Sequence, residues 1–475
     1  MESIRKNYVL QVAYQVLNMC LPFVTSPYIS RVLGAEKLGL YSYTFSIASI
    51  FILFINLGIE KYGSRSIAMV RNDKEKMNKT FSELFFLRLI VGIGMMSTYY
   101  WFSVVFSENK GLFAINGILL IGATIDINWF FFGIEKFKIT VTRNFILKIL
   151  TVICVFLFVK APNDLWKYIT IMVVGTVISQ SIIWCFIFKY VALIKVNIQG
   201  VLSHLKPLII LFIASLAQSA YTYIDKIMIG SLGTMEQLGY CTNAYKIVAF
   251  PMSIITSLGV VMLPRMAMLY ETNRNDKAEV YIRESMRYIM ILACAMVAGM
   301  IAIGRDFAII FWGIDFAISG EIVVIIAPIV LFMSWSDIIR NQYLIPKKRD
   351  REYAIAIAVG AIVNIGFNAL LIPVFSAKGA AISTVLSYFV ISAYQTYITR
   401  KEIPYFRLIK ETLPYVGFGV VMCVCVRMVK SVLHDITIQG LIYQVICGAL
   451  VYGGLVLSYL ILKRDKLIYK QDKKI

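Results

Sequence analysis

Two histidines among 475 residues, and no HExxH, GxSxG or Walker pattern, leave no catalytic constellation to build on. Charge is scarce too. Only 16% of the residues are charged against 59% hydrophobic, too little polar surface for a soluble globule of this size. The eight cysteines, Cys20, Cys154, Cys185, Cys241, Cys294, Cys423, Cys425 and Cys447, all lie within or at the edge of apolar stretches. That placement argues against a disulfide framework or a zinc site. At the N-terminus, MESIRKNY runs into a full-length apolar stretch with no small-residue cleavage site, so the first helix is expected to serve as the insertion signal and to stay on the chain.

What the sequence has instead is apolar runs of about 20 residues, one after another, each long enough to cross a hydrocarbon core of about 30 Å. Fourteen are read: 8–30, 39–59, 82–106, 111–133, 142–159, 166–188, 207–230, 238–263, 288–304, 321–339, 353–373, 379–399, 411–429 and 439–462. No alternating strand pattern is present, and lipid tolerates no unpaired backbone, so each is expected to be an α-helix. The fold class is an all-α polytopic membrane protein.

The basic residues agree with this count. With the N-terminus placed in the cytoplasm, 34 of the 47 Lys and Arg fall in inside segments. Nine fall outside: Arg31, Lys37, Lys110, Lys160, Lys167, Arg305, Lys378, Arg427 and Lys430. The alternation satisfies the positive-inside rule with both termini cytoplasmic. It also accounts for the net charge of +20 through cytoplasmic loops facing anionic lipid, so no nucleic-acid partner is implied.

The chain repeats itself. LGAEKLGLYSY from Leu33 is echoed by LGTMEQLGYCT from Leu232; Leu57 and Gly58 return as Leu258 and Gly259, and Arg65 as Arg265, about 200 residues on. Six spans separate the first helix from the seventh, so both run in the same direction. The expected organisation is two parallel six-helix lobes, 1–200 and 201–402, around a central cavity, followed by helices 13 and 14 with a basic tail in 403–475.

Polar residues at helical spacing are the candidates to line that cavity: Gln11, Gln15, Asn18 and Thr25 on the first helix; Ser42, Ser46, Ser49 and Asn56 on the second; Ser215, Gln218, Thr222 and Asp225 on the seventh; Asn243, Lys246, Ser253 and Ser257 on the eighth. Helix packing, where Ser, Thr and Asn bond neighbouring helices, is the competing explanation. Ionisable residues at membrane depth are costly and need a reason. Lys246 lies about 12 Å below the outer end of its span at 1.5 Å per residue, too deep to reach the interface easily. Arg88 and Lys148 are read as snorkelling from the cytoplasmic ends of their spans. Asp225 and Lys226, adjacent in sequence, point about 100° apart and need separate partners. Asp126 and Asp337 are further acids within or near spans, each also explicable as half of a helix-locking ion pair.

PYISRVLGAEKLGLYSYTFSI, KYGSRSIA, NWFFFGIEKFK and LLIPVFSAKGAAISTV, in that order, resemble the Wzx-type flippases of the polysaccharide transport family, relatives of the lipid II flippase and the multidrug MATE exporters. The resemblance runs from Asn7 to about Thr399; helices 13 and 14 carry no motif. It implies a carrier, not an enzyme, that moves undecaprenyl-pyrophosphate-linked sugar repeat units between the leaflets of the bacterial cytoplasmic membrane for capsule, O-antigen or exopolysaccharide assembly, alongside polymerase and assembly proteins. By resemblance and position, Arg31, Lys226 and Lys246 would hold the pyrophosphate, and Lys61 would receive it at the inner face. Asp126 and Asp225 would set the field or couple transport to a proton or sodium ion. No cofactor or metal is implied.

Three alternatives stay open. A MATE-like exporter of cationic drugs would place an acid within the N-terminal lobe, and the first helix has none between Tyr8 and Ser30, although Asp126 lies farther on. A major-facilitator symporter would have twelve helices and a GxxxDRxGRR loop where this chain has KYGSRSIAMVRNDKEK. A non-transport scaffold of a polysaccharide assembly complex would tolerate loss of Lys246.

Overall fold

The computed structural model describes the backbone of residues 2–433 and 436–462, and side chains from residue 21 onward except at 214, 215, 217, 218, 220, 221 and 260. Among the described residues the chain is helical, with no strand. Two helical stretches, Leu21–Val70 and Asp350–Thr399, are 50 residues each. At 1.5 Å per residue either would greatly exceed the bilayer core, and each is broken. The first turns at Gly34 (φ 75°, ψ 173°), the second at Ser376 (φ 50°, ψ −128°).

Divided there, the spans number fourteen: α1 (2–33), α2 (35–56), α3 (Lys74–Phe106), α4 (Lys110–Thr124, resumed at Asn128–Gly133), α5 (Phe137–Phe158), α6 (Leu165–Ile182), α7 (Leu205–Leu232), α8 (Met235–Glu271), α9 (Asn275–Trp312), α10 (Ala317–Ile326 with Ile329–Ile339), α11 (350–375), α12 (377–399), α13 (Tyr405–Leu433) and α14 (Ile438–Leu462). The eight-residue connection expected between α1 and α2 shrinks to a single glycine. Gly34 has no atom within 4 Å of where a Cβ would stand, so what requires glycine is the positive φ rather than space.

Compact packing divides the chain between Gly239 and Tyr240. In the first unit, α2 ends at Leu57 and Gly58, both at positive φ, and the chain continues as the helix Ile59–Val70, which buries Ile59, Gly63, Ser66 and Ile67. Two sequence motifs meet here. A Cβ on Gly63 of KYGSRSIA would lie 2.6 Å from the Trp129 ring, and one on Gly133 of NWFFFG would lie 2.8 Å from Ile67. Around this contact Ile59, Ile67, Phe81, Leu84, Trp129, Phe130, Phe131 and Leu208 form a core with every member fully or almost fully buried. Nearby, His204 Nδ1 lies 2.8 Å from the Tyr62 hydroxyl and its Nε2 3.1 Å from Glu83 Oε2, tying the connection before α7 to α3.

The echo in the sequence also has a structural explanation within this unit. A Cβ on Gly39 would overlap the carbonyl of Met235, and one on Gly239 would overlap the carbonyl of Ala35. The two copies therefore lie backbone to backbone in a reciprocal contact, of the kind small residues permit between membrane helices.

In the second unit, α9 packs along α13 and α14. The Arg283 guanidinium pairs with Glu411 at 2.6 Å, Arg287 Nε donates to the Tyr415 hydroxyl at 3.1 Å, and the Tyr452 hydroxyl donates to Ile291 O at 2.8 Å. The helix α10 bends by 42° around Ala327 and Pro328, where proline removes a backbone donor, and it ends in a π-helical turn, Arg340–Leu344. Large apolar side chains such as Ile362, Leu370, Val374 and Leu450 are exposed, as expected where the solvent is lipid.

Candidate functional site

The first unit contains a polar site built around a broken helix. After Thr124, α4 loses helical geometry for Ile125–Ile127 and resumes at Asn128. A break at this depth frees carbonyls that must find donors. Arg88 Nε donates to Ala123 O at 2.7 Å and Trp184 Nε1 to Ile125 O at 2.8 Å. Asp126 Oδ1 accepts the Asn128 amide at 2.8 Å, a short side-chain turn that starts the resumed helix. The other guanidinium edge of Arg88 reaches across to α2: Nη2 donates to Asn56 Oδ1 at 2.6 Å and stands 3.7 Å from Asp126 Oδ2.

Arg88 is 2% exposed. It does not snorkel to an interface, as its position near the end of the apolar run led us to expect. The apolar run starts later than the helix does: α3 begins at Lys74, and the length of apolar sequence alone misjudged where Arg88 points. It is a residue of the site that the sequence reading missed; the signal available was the acid at Asp126, which at such depth needs a cation.

A second tier extends the network. Asn128 Nδ2 donates to Gln180 Oε1 at 3.1 Å, while Arg143 donates to Asn128 Oδ1 at 2.9 Å and to Asn144 Oδ1 at 2.7 Å, and Ser179 Oγ donates to Asn144 Oδ1 at 2.9 Å. Hydrogen bonds thus join α2, α3, α4, α5 and α6. Against this network lies a cavity of about 430 Å³ whose polar lining is Ser49, Asn56, Asp126, Thr176, Gln180, Ser219 and Tyr223. The Asp126 side chain is 26% exposed. Its carboxylate thus lies between the Arg88 guanidinium and the cavity it helps to line.

Of the residues singled out in the sequence, Ser49, Asn56 and Asp126 meet at this cavity. Ser46 is fully buried, its hydroxyl returned to Ser42 O at 2.6 Å. Asp225 is 1% exposed and Lys226 half-buried, in keeping with their different directions around α7. Arg31, Lys61 and Thr222 are exposed. In the second unit Lys246, half-buried, donates to the fully buried Asn243 at 2.9 Å, and one turn of α8 joins them. The side chains of Gln11, Gln15, Asn18 and Gln218 lie outside the described residues. Asp337 is paired with Arg340 on its own helix and accepts from Asn341 Nδ2 at 3.0 Å. No group of three or more His, Cys, Asp or Glu side chains is arranged as metal ligands among the described residues.

A chain of fourteen helices among the described residues, at least ten of them long and apolar enough to cross a membrane, with a polar cavity inside a helical unit, has the build of a membrane carrier. Residues 4–270 match the family model described as polysaccharide biosynthesis protein, and the chain belongs to that family. A Shigella dysenteriae protein named "Putative O-antigen transporter" is 25% identical over 389 residues, 80% of this chain and 96% of that one. The capsular polysaccharide biosynthesis protein CapF of Staphylococcus aureus is 25% identical over 405 residues, 82% and 98% of the two chains. In fold, the chain is similar to the lipid II flippase MurJ in an inward closed conformation, with a TM-score of 0.74 at 17% identity over 97% of this chain and 99% of that one. It is also similar to an inward-facing MATE transporter of the MOP superfamily, with a TM-score of 0.65 at 15% identity over 84% and 95%.

Proposed function

We propose that the protein is a flippase that carries undecaprenyl-pyrophosphate-linked oligosaccharide repeat units from the inner to the outer leaflet, for capsule, O-antigen or exopolysaccharide assembly. The observation that carries this reading is the polar cavity at the α4 break, where a half-open carboxylate is balanced by a buried arginine inside a transporter fold. The names of the polysaccharide relatives support the substrate class. Alternating access moves the headgroup: an inward-open state accepts it, the units rearrange, and an outward-open state releases it. No bond is made or broken.

In this scheme Arg31, Lys226 and Lys246 contact the pyrophosphate, with Lys61 receiving it on the cytoplasmic side. Arginine offers a bidentate fork to a phosphate and lysine a compact charge. Asp126 and Asp225 couple the cycle to a proton or sodium gradient, and that coupling requires the ion to bind the two states with different affinity. The polyprenyl tail stays in lipid, and both termini are cytoplasmic.

The test replaces the chromosomal gene with Lys246→Ala and follows undecaprenyl-linked repeat units, with protein abundance checked in the membrane fraction. Accumulation on the cytoplasmic side at normal abundance is the expected result. Normal polymer export would make Lys246 structural, and normal export after deletion of the whole gene would remove the flippase reading.

A further inference from the structure

Four of the nine basic residues that the charge count assigns to the outside, Arg305, Lys378, Arg427 and Lys430, line one depression of about 740 Å³ in the second unit. They come from three separate stretches of sequence, and specific backbone features bring them together. Helices α9 and α10 approach so closely at Gly304 and Gly320 that a Cβ on Gly320 would overlap the Arg305 Cα, setting Arg305 beside the rim residue Glu321. The break at Ser376 begins α12 two residues before Lys378, whose Nζ lies 2.7 Å from Glu321 Oε2. On α13, Arg427 and Lys430 share a face three residues apart, and Lys430 is anchored to the buried carboxylate of Asp306.

The charges do not cancel. Two carboxylates, Glu321 and Asp306, each hold one lysine, while among the described residues the Arg305 side chain makes no ion pair or hydrogen bond, and Arg427 has only a 3.5 Å contact to Ile301 O. Arg305 shares the field of Glu321 with Lys378, so four cations face two carboxylates, at helix ends that the charge count assigns to the outside, where basic residues are rare. Below them the floor is apolar, formed by Ile301, Ala302, Val324 and Ile325. An inorganic anion would use the rim and waste the floor, and a neutral lipid would do the reverse.

We propose that this depression binds a phosphate-bearing amphiphile of the leaflet it faces, the phosphate held by Arg305 and Arg427 and the hydrocarbon chain lying on the apolar floor. Its volume is within the range of small-molecule sites, roughly 300–1,000 Å³. The same chemistry fits two sources, a bilayer phospholipid and a polyprenyl pyrophosphate. The site goes beyond the transport reading and does not depend on it.

The test titrates the full-length protein in detergent with dioctanoyl phosphatidylglycerol, farnesyl pyrophosphate or dioctanoylglycerol, and counts retained adducts by native mass spectrometry. The wild type should retain one equivalent of a phosphate amphiphile that Lys76→Gln, an exposed change in the first unit, keeps. Arg305→Gln and Arg427→Gln should each weaken it about fivefold, the size expected of one cation facing an anionic headgroup. Glu321→Gln, which adds to the uncompensated charge, should tighten it, and these opposite directions separate loss of the site from loss of folding. Retention of phosphatidylglycerol alone assigns the site to bilayer lipid, and retention of farnesyl pyrophosphate alone assigns it to the prenyl carrier. Equal retention by the Arg305→Gln/Arg427→Gln protein and the wild type, or equal retention of dioctanoylglycerol, would overturn the proposal.

Discussion

Asp126 and Asp337 lie on helices six places apart, α4 and α10, each where its helix departs from regular geometry, and each faces an arginine. The difference is where that arginine comes from. Arg88 reaches Asp126 from α3 and also bonds Asn56 of α2 and the freed carbonyl of Ala123, so the charge pair ties three helices. Arg340 is three residues from Asp337 on the same stretch of chain, and beyond that helix it makes only a 3.4 Å contact to the Tyr353 hydroxyl of α11 and stacks over that ring. Exposure separates them further: the Asp126 side chain is 26% exposed and borders a cavity, whereas that of Asp337 is 2% exposed. A cross-helix pair next to a cavity can link ion occupancy to helix position; a pair made within one helix, with its carboxylate closed to solvent, holds the entry to the π-helical turn. This difference favours Asp126 over Asp337 in the proposed coupling, which also involves Asp225.

The comparison is broken most severely at Arg88. Arg88→Met leaves Asp126 without its cation and both Ala123 O of α4 and Asn56 Oδ1 of α2 without their donor, and should cost about 3–5 kcal/mol, the range for halving a buried pair; thermal unfolding of the purified protein should show a strongly lowered midpoint. Combining Arg88→Met with Asp126→Asn should recover part of that loss, because the uncompensated carboxylate goes too.

Gly39→Ala comes next. Its Cβ would overlap Met235 O, and forcing the backbones apart should cost about 1–3 kcal/mol, read as a lower melting midpoint. The same substitution at Gly34, where nothing lies within 4 Å, should strain only the turn, at roughly 1–2 kcal/mol. Comparable losses from Asp337→Asn and Asp126→Asn, measured on transport rather than stability, would erase the distinction drawn between the two acids; we expect only the Asp126 change to move the dependence of transport on the ion gradient.

The smallest effect lies outside the membrane. Asp73 begins α3, and its carboxyl is held below the ordinary value of 3.8 chiefly by the Lys76 amide, with the Lys76 ammonium assisting. A depressed folded pKa means that this contribution is complete above the ordinary carboxylate value and is lost as pH falls through the lowered one. The protection of the Lys76 amide, its exchange rate compared with that of an unstructured amide at the same pH, should therefore fall on acidification below about pH 4 in the wild type, and should be insensitive to pH in that window in Asp73→Ala.

The spans and their number were legible because apolar length acts on every residue of a membrane helix. The reciprocal glycines at 39 and 239 could be matched by eye, but that they touch could not, since spacing in sequence says nothing of which helices meet. Asp126 and Asn56 were legible as polar residues at depth. Arg88 was not, because its side chain runs sideways to a break in α4 that no proline or glycine announces in ATIDINW. The basic depression was hidden for a similar reason: its four cations are scattered over more than 120 positions, from Arg305 to Lys430, and only the packing at Gly320 and the break at Ser376 gather them.

The measurement closest to the central claim uses proteoliposomes containing the purified protein and a fluorescent polyprenyl-pyrophosphate oligosaccharide, with a membrane-impermeant reagent reporting which leaflet holds the label. The account predicts that label loaded in one leaflet becomes accessible in the other with the wild-type protein, and much more slowly with Lys246→Ala or Asp126→Asn of equal abundance and fold. Redistribution no faster than in protein-free liposomes, under an imposed proton or sodium gradient of either direction, would contradict it.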